Sequence, residues 1–300
     1  MKGKLRGPVL MALLSVAIVP APRAAQDATA TQPIALIEAT TAGDMTQVRQ
    51  LLDAGTAVDV RDASAATALI YAAARGQDDV ARLLLARGAD ASLQDGQEYD
   101  AMDYAMERGR HGAVLALLEH RAARAKSTHD PAAGLLLASA RGDLATVAKL
   151  LAGKVPADAG AEQGYTALAM AARWNHGEVV AKLLAAGADP NRATRSRYRT
   201  VPLMEASRDG RVAIAEQLIA AGAEVNRGDR YGDHALNWAC YFGHADFVAL
   251  MLRHGADLTR TGQTDDQPIE IALREKHAAV VDLLRAAGAT ARAGKAGGAP

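Results

Sequence analysis

The sequence predicts an all-α solenoid of about eight helix-turn-helix units with short finger loops, and three observations carry that reading. A helix-ending Leu-Leu-x-x-Gly-Ala motif, with small variations, recurs at Gly55, Gly88, Gly187, Gly222, Gly255 and Gly288. Arg121 and Lys154 fall in the same register, so successive steps are 33 residues, apart from one of 35 between Gly187 and Gly222. A second position is alanine in every unit: Ala39, Ala72, Ala105, Ala138, Ala171, Ala206, Ala239 and Ala272. Third, half of the 300 residues are apolar but only 4% are aromatic, which favours closely packed helices over a sheet sandwich.

The first helix of each unit follows from the invariant alanine and the apolar residue three positions earlier. That residue is Leu36, Leu69, Met102, Leu135, Leu168, Leu203, Leu236 or Ile269. The second helix has its own repeating core position at Leu51, Leu84, Leu117, Leu150, Leu183, Leu218, Met251 and Leu284. These are buried stripes at helical spacing. Helix starts are marked by Thr67 and Thr166, whose hydroxyls suit an N-cap, and by Pro202 and Pro268, which suit the first helical position.

The segments Thr67-Ala-Leu-Ile-Tyr-Ala72, Thr166-Ala-Leu-Ala-Met-Ala171 and Val201-Pro-Leu-Met-Glu-Ala206 resemble the Thr-Pro-Leu-His-x-Ala signature of the ankyrin-repeat family. The resemblance covers about residues 32–292, with units near 32–60, 61–94, 95–127, 128–160, 161–195, 196–228, 229–261 and 262–292. It implies helix, tight turn, helix and an extended finger in each unit, stacked into a curved solenoid with a concave face. The signature histidine is replaced in every unit, by Ile37, Ile70, Asp103, Leu136, Ala169, Met204, Asn237 and Glu270, so its hydrogen bonds must be replaced or lost. The mid-repeat Gly-His survives as Gly243-His244, and Asn175-His176 keeps the histidine with a residue that tolerates a left-handed turn. Arg285 stands where the other units carry Leu or Ile, as befits an outermost repeat.

Arg121 and Lys154 lack the glycine that ends the second helix, and a left-handed turn there costs roughly 1–2 kcal/mol. The helix from Ala113 is therefore expected to run past Arg121 to about Lys126. His129-Asp130-Pro131 would then restart the stack, with a kink or softer joint near residues 121–132.

Lys2, Lys4 and Arg6 precede an apolar stretch from Val9 to Val19, which Pro20 and Pro22 end. This reads as a secretory signal over residues 1–25, cut after about residue 25–30; at eleven residues the stretch is shorter than the ~20 a spanning helix needs. The expected address is periplasmic or secreted, in a bacterium, with no stable membrane insertion after cleavage. Residues 293–300 are expected to be a disordered tail. Cys240 is the single cysteine, so no internal disulfide can form, and the balanced charge of 34 basic and 34 acidic residues gives no sign of nucleic-acid binding.

The resemblance places contact residues on the finger tips and just before the mid-repeat glycine. Carried over, these slots hold Arg173, Trp174, Arg197, Tyr198, Arg199, Arg208, Tyr231, Tyr241 and Phe242, all in the fifth to seventh units. The two-residue insertion near Arg192–Arg199 should lengthen one finger there. Aromatic residues and Arg are enriched at interface hot spots, and Arg forks pair carboxylates, so the patch suits an acidic segment of another protein. The competing reading is ordinary packing, with Trp174 against its own helix pair and Arg stems covering apolar surface. Trp238 is expected in the core.

No nucleophile elbow, phosphate loop, zinc-protease or calcium-loop pattern occurs. His234, Cys240 and His244 come nearest to a metal or thiol site, yet each fills a structural slot. The expected function is a non-catalytic protein-binding scaffold without cofactor or metal, which binds its partner, an exported enzyme or a toxin, on the concave face. The alternative is a small-molecule or glycan binder using the aromatic patch.

Overall fold

The computed structural model describes residues 28–128, 131–159 and 164–292. The signal segment through residue 27 and the tail from residue 293 lie outside the described residues.

The described residues form sixteen helices in eight consecutive pairs. The first three pairs are α1 (Ala28–Ala42) with α2 (Met45–Asp53), α3 (Ala68–Arg75) with α4 (Asp78–Ala86), and α5 (Ala101–Glu107) with α6 (His111–Thr128). The next three are α7 (Pro131–Arg141) with α8 (Leu144–Ala152), α9 (Ala167–Arg173) with α10 (Gly177–Ala185), and α11 (Pro202–Ser207) with α12 (Val212–Ala220). The last two are α13 (Ala235–Phe242) with α14 (Ala245–Arg253), and α15 (Pro268–Arg274) with α16 (Ala278–Ala286). They fall into two compact units, one ending at Ala133 and one beginning at Gly134.

The alanine register explains the packing within each unit. All eight alanines are 3% exposed or less, because only a methyl group lets the first helices approach so closely. Thr67 and Thr166 cap α3 and α9 by accepting from Ile70 N and Ala169 N at 3.3 and 3.0 Å. Pro202 and Pro268 open α11 and α15 as expected. Arg285 is exposed on α16, where Leu85 and Leu118 of inner repeats are buried.

Each helix pair turns through a left-handed residue. Gly43, Gly76, Gly109, Gly142, Asn175, Gly210, Gly243 and Lys276 all have φ between 63° and 77°. The residue after this turn ties one repeat to the one before it. His176, His244 and His277 donate Nε2–H to the carbonyls of Ala140, Arg208 and Tyr241 at 3.1, 2.8 and 3.0 Å, each 36 residues upstream. The same rings dictate where glycine is obligatory. A Cβ on Gly210 would lie 2.8 Å from the His244 ring, and one on Gly243 would lie 2.5 Å from His277 Nδ1. Asn175 faces a repeat with Arg211 in that place, and Lys276 lies in the last repeat, so a side chain is admitted at both.

The two missing helix-end glycines resolve differently. After Arg121 come Ala122, Ala123 and Arg124, good helix formers, and α6 runs on to Thr128. After Lys154 comes Val155-Pro156, which bars a helix, so α8 ends at Ala152 and Lys154 itself takes φ 65°.

The replaced signature histidine is compensated in the last two repeats. Asn237 Nδ2 donates to Arg260 O at 3.5 Å, and Glu270 accepts from Arg292 N at 2.8 Å. At Ile70, Leu136, Ala169 and Met204 the slot is filled by buried apolar groups instead.

Candidate functional site

The finger loops begin as one turn repeated. Asp62, Asp95 and Asp229 each donate N–H to the carbonyl four residues on, at Ala66, Tyr99 and Asp233. In the fifth finger the same bond runs from Thr194 N to Thr200 O, six residues on. The two-residue insertion is therefore housed within the finger tip, as expected, and its Arg199 takes φ 55°. Adjacent tips are joined by Arg195 N–H to Gly164 O and by Arg230 N–H to Tyr198 O, at 2.7 and 2.8 Å.

The nine expected contact residues do not share one environment. Arg199 is exposed, and Arg197, Tyr198, Tyr231, Trp174, Tyr241 and Phe242 are half-buried. Arg173 and Arg208, expected in exposed slots, are instead 3% and 7% exposed. The reason is internal pairing. Arg173 donates from Nη1 to Asp209 Oδ2 at 3.0 Å, lies 3.9 Å from buried Glu205, and its guanidinium sits 5.3 Å from the centre of the Trp174 ring. Burial, and then the neighbouring Arg208, hold the Arg173 pKa below its ordinary value. Arg208 lies between Trp238 and Phe242, 4.7 and 5.5 Å from their ring centres. Buried and engaged by these groups, the two arginines build the face rather than present it.

The aromatic residues form two groups. Tyr198 packs edge-on against Tyr231 and Trp238, at 5.8 and 6.1 Å between centres. Tyr241 packs edge-on against Phe242 at 5.0 Å, and Phe242 stacks on His244 at 6.2 Å. Trp238 is buried, as expected, and joins the cluster through its edge contact with Tyr198.

Four groups in this region escaped sequence reading: Glu205, Asp209, Asp229 and Trp238 as a cluster member. Asp209 alone had a signal in the spacing, since it stands 36 residues after Arg173, the separation also found in the histidine ties. Asp229 is half-buried, and burial followed by the neighbouring Asp233 pushes its pKa up to about 7.

The residues weighed for catalysis are turned to structural ends. His234 is fully buried with Nε2–H on Asp257 O at 3.1 Å, and burial holds its pKa down to about 4. Cys240 is fully buried, which pushes its thiol well above the ordinary range. His244 is one of the inter-repeat ties. Among the described residues, no group of three or more His, Cys, Asp or Glu is placed to hold a metal ion. Among them, no helix is long and apolar enough to cross a membrane.

Stacked helix pairs, hydrogen-bonded fingers and a polar-aromatic rim define a repeat-built interaction module. The pattern of the family described as Ankyrin repeats (3 copies) matches residues 36–129, 105–194 and 203–293, and the chain belongs to that family. Ankyrin repeats mediate protein–protein interaction. No curated protein matches the chain significantly.

Proposed function

We propose that the chain is an exported, non-catalytic scaffold that grips an acidic segment of a partner protein on the finger tips of its fifth to seventh units. The observation that supports this most is the composition of two adjoining tips. Exposed Arg195, Arg199 and Arg230 stand beside half-buried Arg197, Tyr198 and Tyr231. The lengthened finger carries four arginines between Arg192 and Arg199 and no acid. The Arg230–Tyr198 backbone bond holds the two tips together, so the basic row is presented on an ordered edge. Such a row attracts carboxylates and the tyrosines add apolar contact with little loss of side-chain freedom. An exported enzyme or a toxin with an acidic loop fits this chemistry, and the signal-like pattern of the first 25 residues supports an exported address beside such partners. The glycan alternative gains little from the rings, since Trp238 and Phe242 are already engaged by Arg208.

The test is affinity capture from the exported fraction of the native cell with the full chain as bait. A tip variant (Tyr198→Ala, Arg199→Ala, Arg230→Ala) is compared with a control changed on the second helices (Lys182→Ala, Arg253→Ala). A protein retained by the wild type and the control, lost by the folded tip variant and eluted by salt, supports the reading. Equal retention by all three overturns it.

A further inference from the structure

Four side chains at one position of the repeat, Asp59, Asp158, Asn191 and Asn226, bridge a finger to the repeat that follows. The two asparagines make a double bridge. Asn191 Oδ1 accepts from Glu224 N at 2.8 Å, and its Nδ2–H donates to Gly222 O at 2.9 Å. Asn226 does the same, with Oδ1 accepting from Asp257 N at 2.8 Å and Nδ2–H donating to Gly255 O at 3.0 Å. In each case the amide grips the helix-end glycine and the residue two positions after it.

The two aspartates make half of this bridge. Asp59 Oδ1 accepts from Asp90 N at 3.0 Å and Asp158 Oδ2 from Asp189 N at 3.2 Å, again two positions after the helix-end glycine. Of the two acids, only Asp158 has its second oxygen both shut off from solvent and without a hydrogen-bond partner. That oxygen, Oδ1, takes the place of the asparagine nitrogen. In the register of Asn191 and Asn226 the group it meets is Gly187 O, a second acceptor. A carboxylate has nothing to donate, so both acceptors stay unmet. A carboxylic acid has one O–H, and with it reproduces both bonds of the asparagines.

The surrounding groups favour the acid form. Burial, the largest cause, holds the Asp158 pKa above its ordinary value, and Asp189 adds a like charge. The bond from Asp189 N and the Arg192 guanidinium pull the other way without prevailing. Asp189 and Arg192 open the fifth finger, where Arg192 N–H bonds back to Asp189 O at 3.2 Å. The bridge is therefore the footing of the lengthened finger that carries Arg195, Arg197 and Arg199.

We propose that Asp158 is a proton-operated clasp at the footing of the lengthened finger, closed when Oδ1 carries a proton and donates to Gly187 O, and open when the carboxyl is ionised. The proton comes from solvent and no other reactant is needed. The sign follows from linkage: the clasp is fully closed below the ordinary aspartate value of 3.8 and opens as pH rises through the raised folded value. Its effect on a partner rests on the finger-tip reading. A slack footing frees the arginine row, so the partner is held more tightly in mild acid than at neutral pH.

The test is hydrogen exchange at the Asp189 and Arg192 amides of the full chain, expressed as protection so that the intrinsic pH dependence of exchange drops out. Wild type should gain about fivefold in protection from about pH 7.5 to about pH 4, the size of one net hydrogen bond. Asp158→Asn should be as protected at neutral pH as wild type is in acid, with no change between them. Asp158→Ala should be poorly protected throughout. Calcium chloride at neutral pH should leave wild type unchanged. Protection that is flat with pH in wild type overturns the clasp, as does Asp158→Asn no better protected than wild type at neutral pH. Calcium reproducing the effect of acid also overturns it, since a metal ion and not a proton would then close the bridge. No partner enters the measurement, so its failure leaves the finger-tip reading standing, and failure of that reading leaves the clasp to be judged on exchange alone.

Discussion

Gly243 and Gly255 offer a controlled test of how one repeat is fastened to the next. Their backbones are nearly the same, with φ at 77° and 75°, but their surroundings differ. A Cβ on Gly255 meets nothing within 4 Å, whereas one on Gly243 lies 2.5 Å from His277 Nδ1. Asparagine tolerates the left-handed region, so Gly255→Asn should cost at most about 1 kcal/mol. Gly243→Asn carries that cost and also expels the His277 ring. The ring's bond to Tyr241 O, 3.0 Å long, is then lost. An unmet buried carbonyl costs about 1–3 kcal/mol, and crowding in a packed site a similar amount. The expected difference between the two variants is about 2–6 kcal/mol, or roughly 4–24 °C in melting temperature at this chain length. Thermal and urea melts followed by circular dichroism supply both numbers. In a His277→Ala background the Gly243→Asn penalty should fall to that of Gly255→Asn, because the clash has gone. Equal penalties for the two asparagines, or no coupling to His277, would refute the argument.

Other outcomes follow from the same geometry. Lys154→Gly should raise stability by about 1 kcal/mol, because exposed Lys154 holds φ 65° where six other repeats have glycine; a lower urea midpoint would count against this. Arg173→Met should cost about 3 kcal/mol by stranding buried Glu205, and adding Glu205→Gln should recover much of it in the same melt. His234 is neutral in the fold with its pKa held at about 4, against an ordinary 6.5. The unfolded chain therefore gains a proton first as pH falls, and stability drains between about pH 6.5 and 4 with no change above that window. Threonine caps the equivalent helices α3 and α9, so His234→Thr should gain on wild type across that window only; a pH-independent difference would contradict the assignment. Asp229 has the opposite sign: its raised pKa gives stability that is full below about 3.8 and lost as pH rises through about 7, a dependence Asp229→Asn should remove. Backbone amides of residues 121–128 should exchange faster with solvent than those of α4 and α8, and equal protection would argue against a soft joint there.

Much of the fold was legible because its determinants are local and periodic. The eight alanines, the two apolar stripes, the threonine caps and the helix-opening prolines each act within a few residues of where they stand. Position in the repeat did not settle the outcome at Arg121 and Lys154, which share a register. The following residues did: Ala122-Ala123-Arg124 continue a helix and Val155-Pro156 stop one. The candidate site was legible only in part. Finger-tip residues such as Arg199 and Tyr198 stand where the repeat register places them. Arg173 and Arg208 do not, because their burial depends on Asp209, Glu205 and Trp238, groups one repeat away whose approach a linear pattern does not display. Asp229 was passed over for the opposite reason. Its turn is like two others in the chain, and what distinguishes it is burial beside a second acid, Asp233.

Site-directed photo-crosslinking in the native cell tests the central claim most directly. A photoreactive residue is placed in turn at Arg199 and Arg230 on the finger tips, and at Lys182 and Asp282 on exposed faces of α10 and α16. One discrete partner should crosslink from both tips and from neither second-helix position, with the crosslinked peptide on the partner rich in Asp and Glu. A partner crosslinked from Lys182 or Asp282 and not from the tips would contradict it.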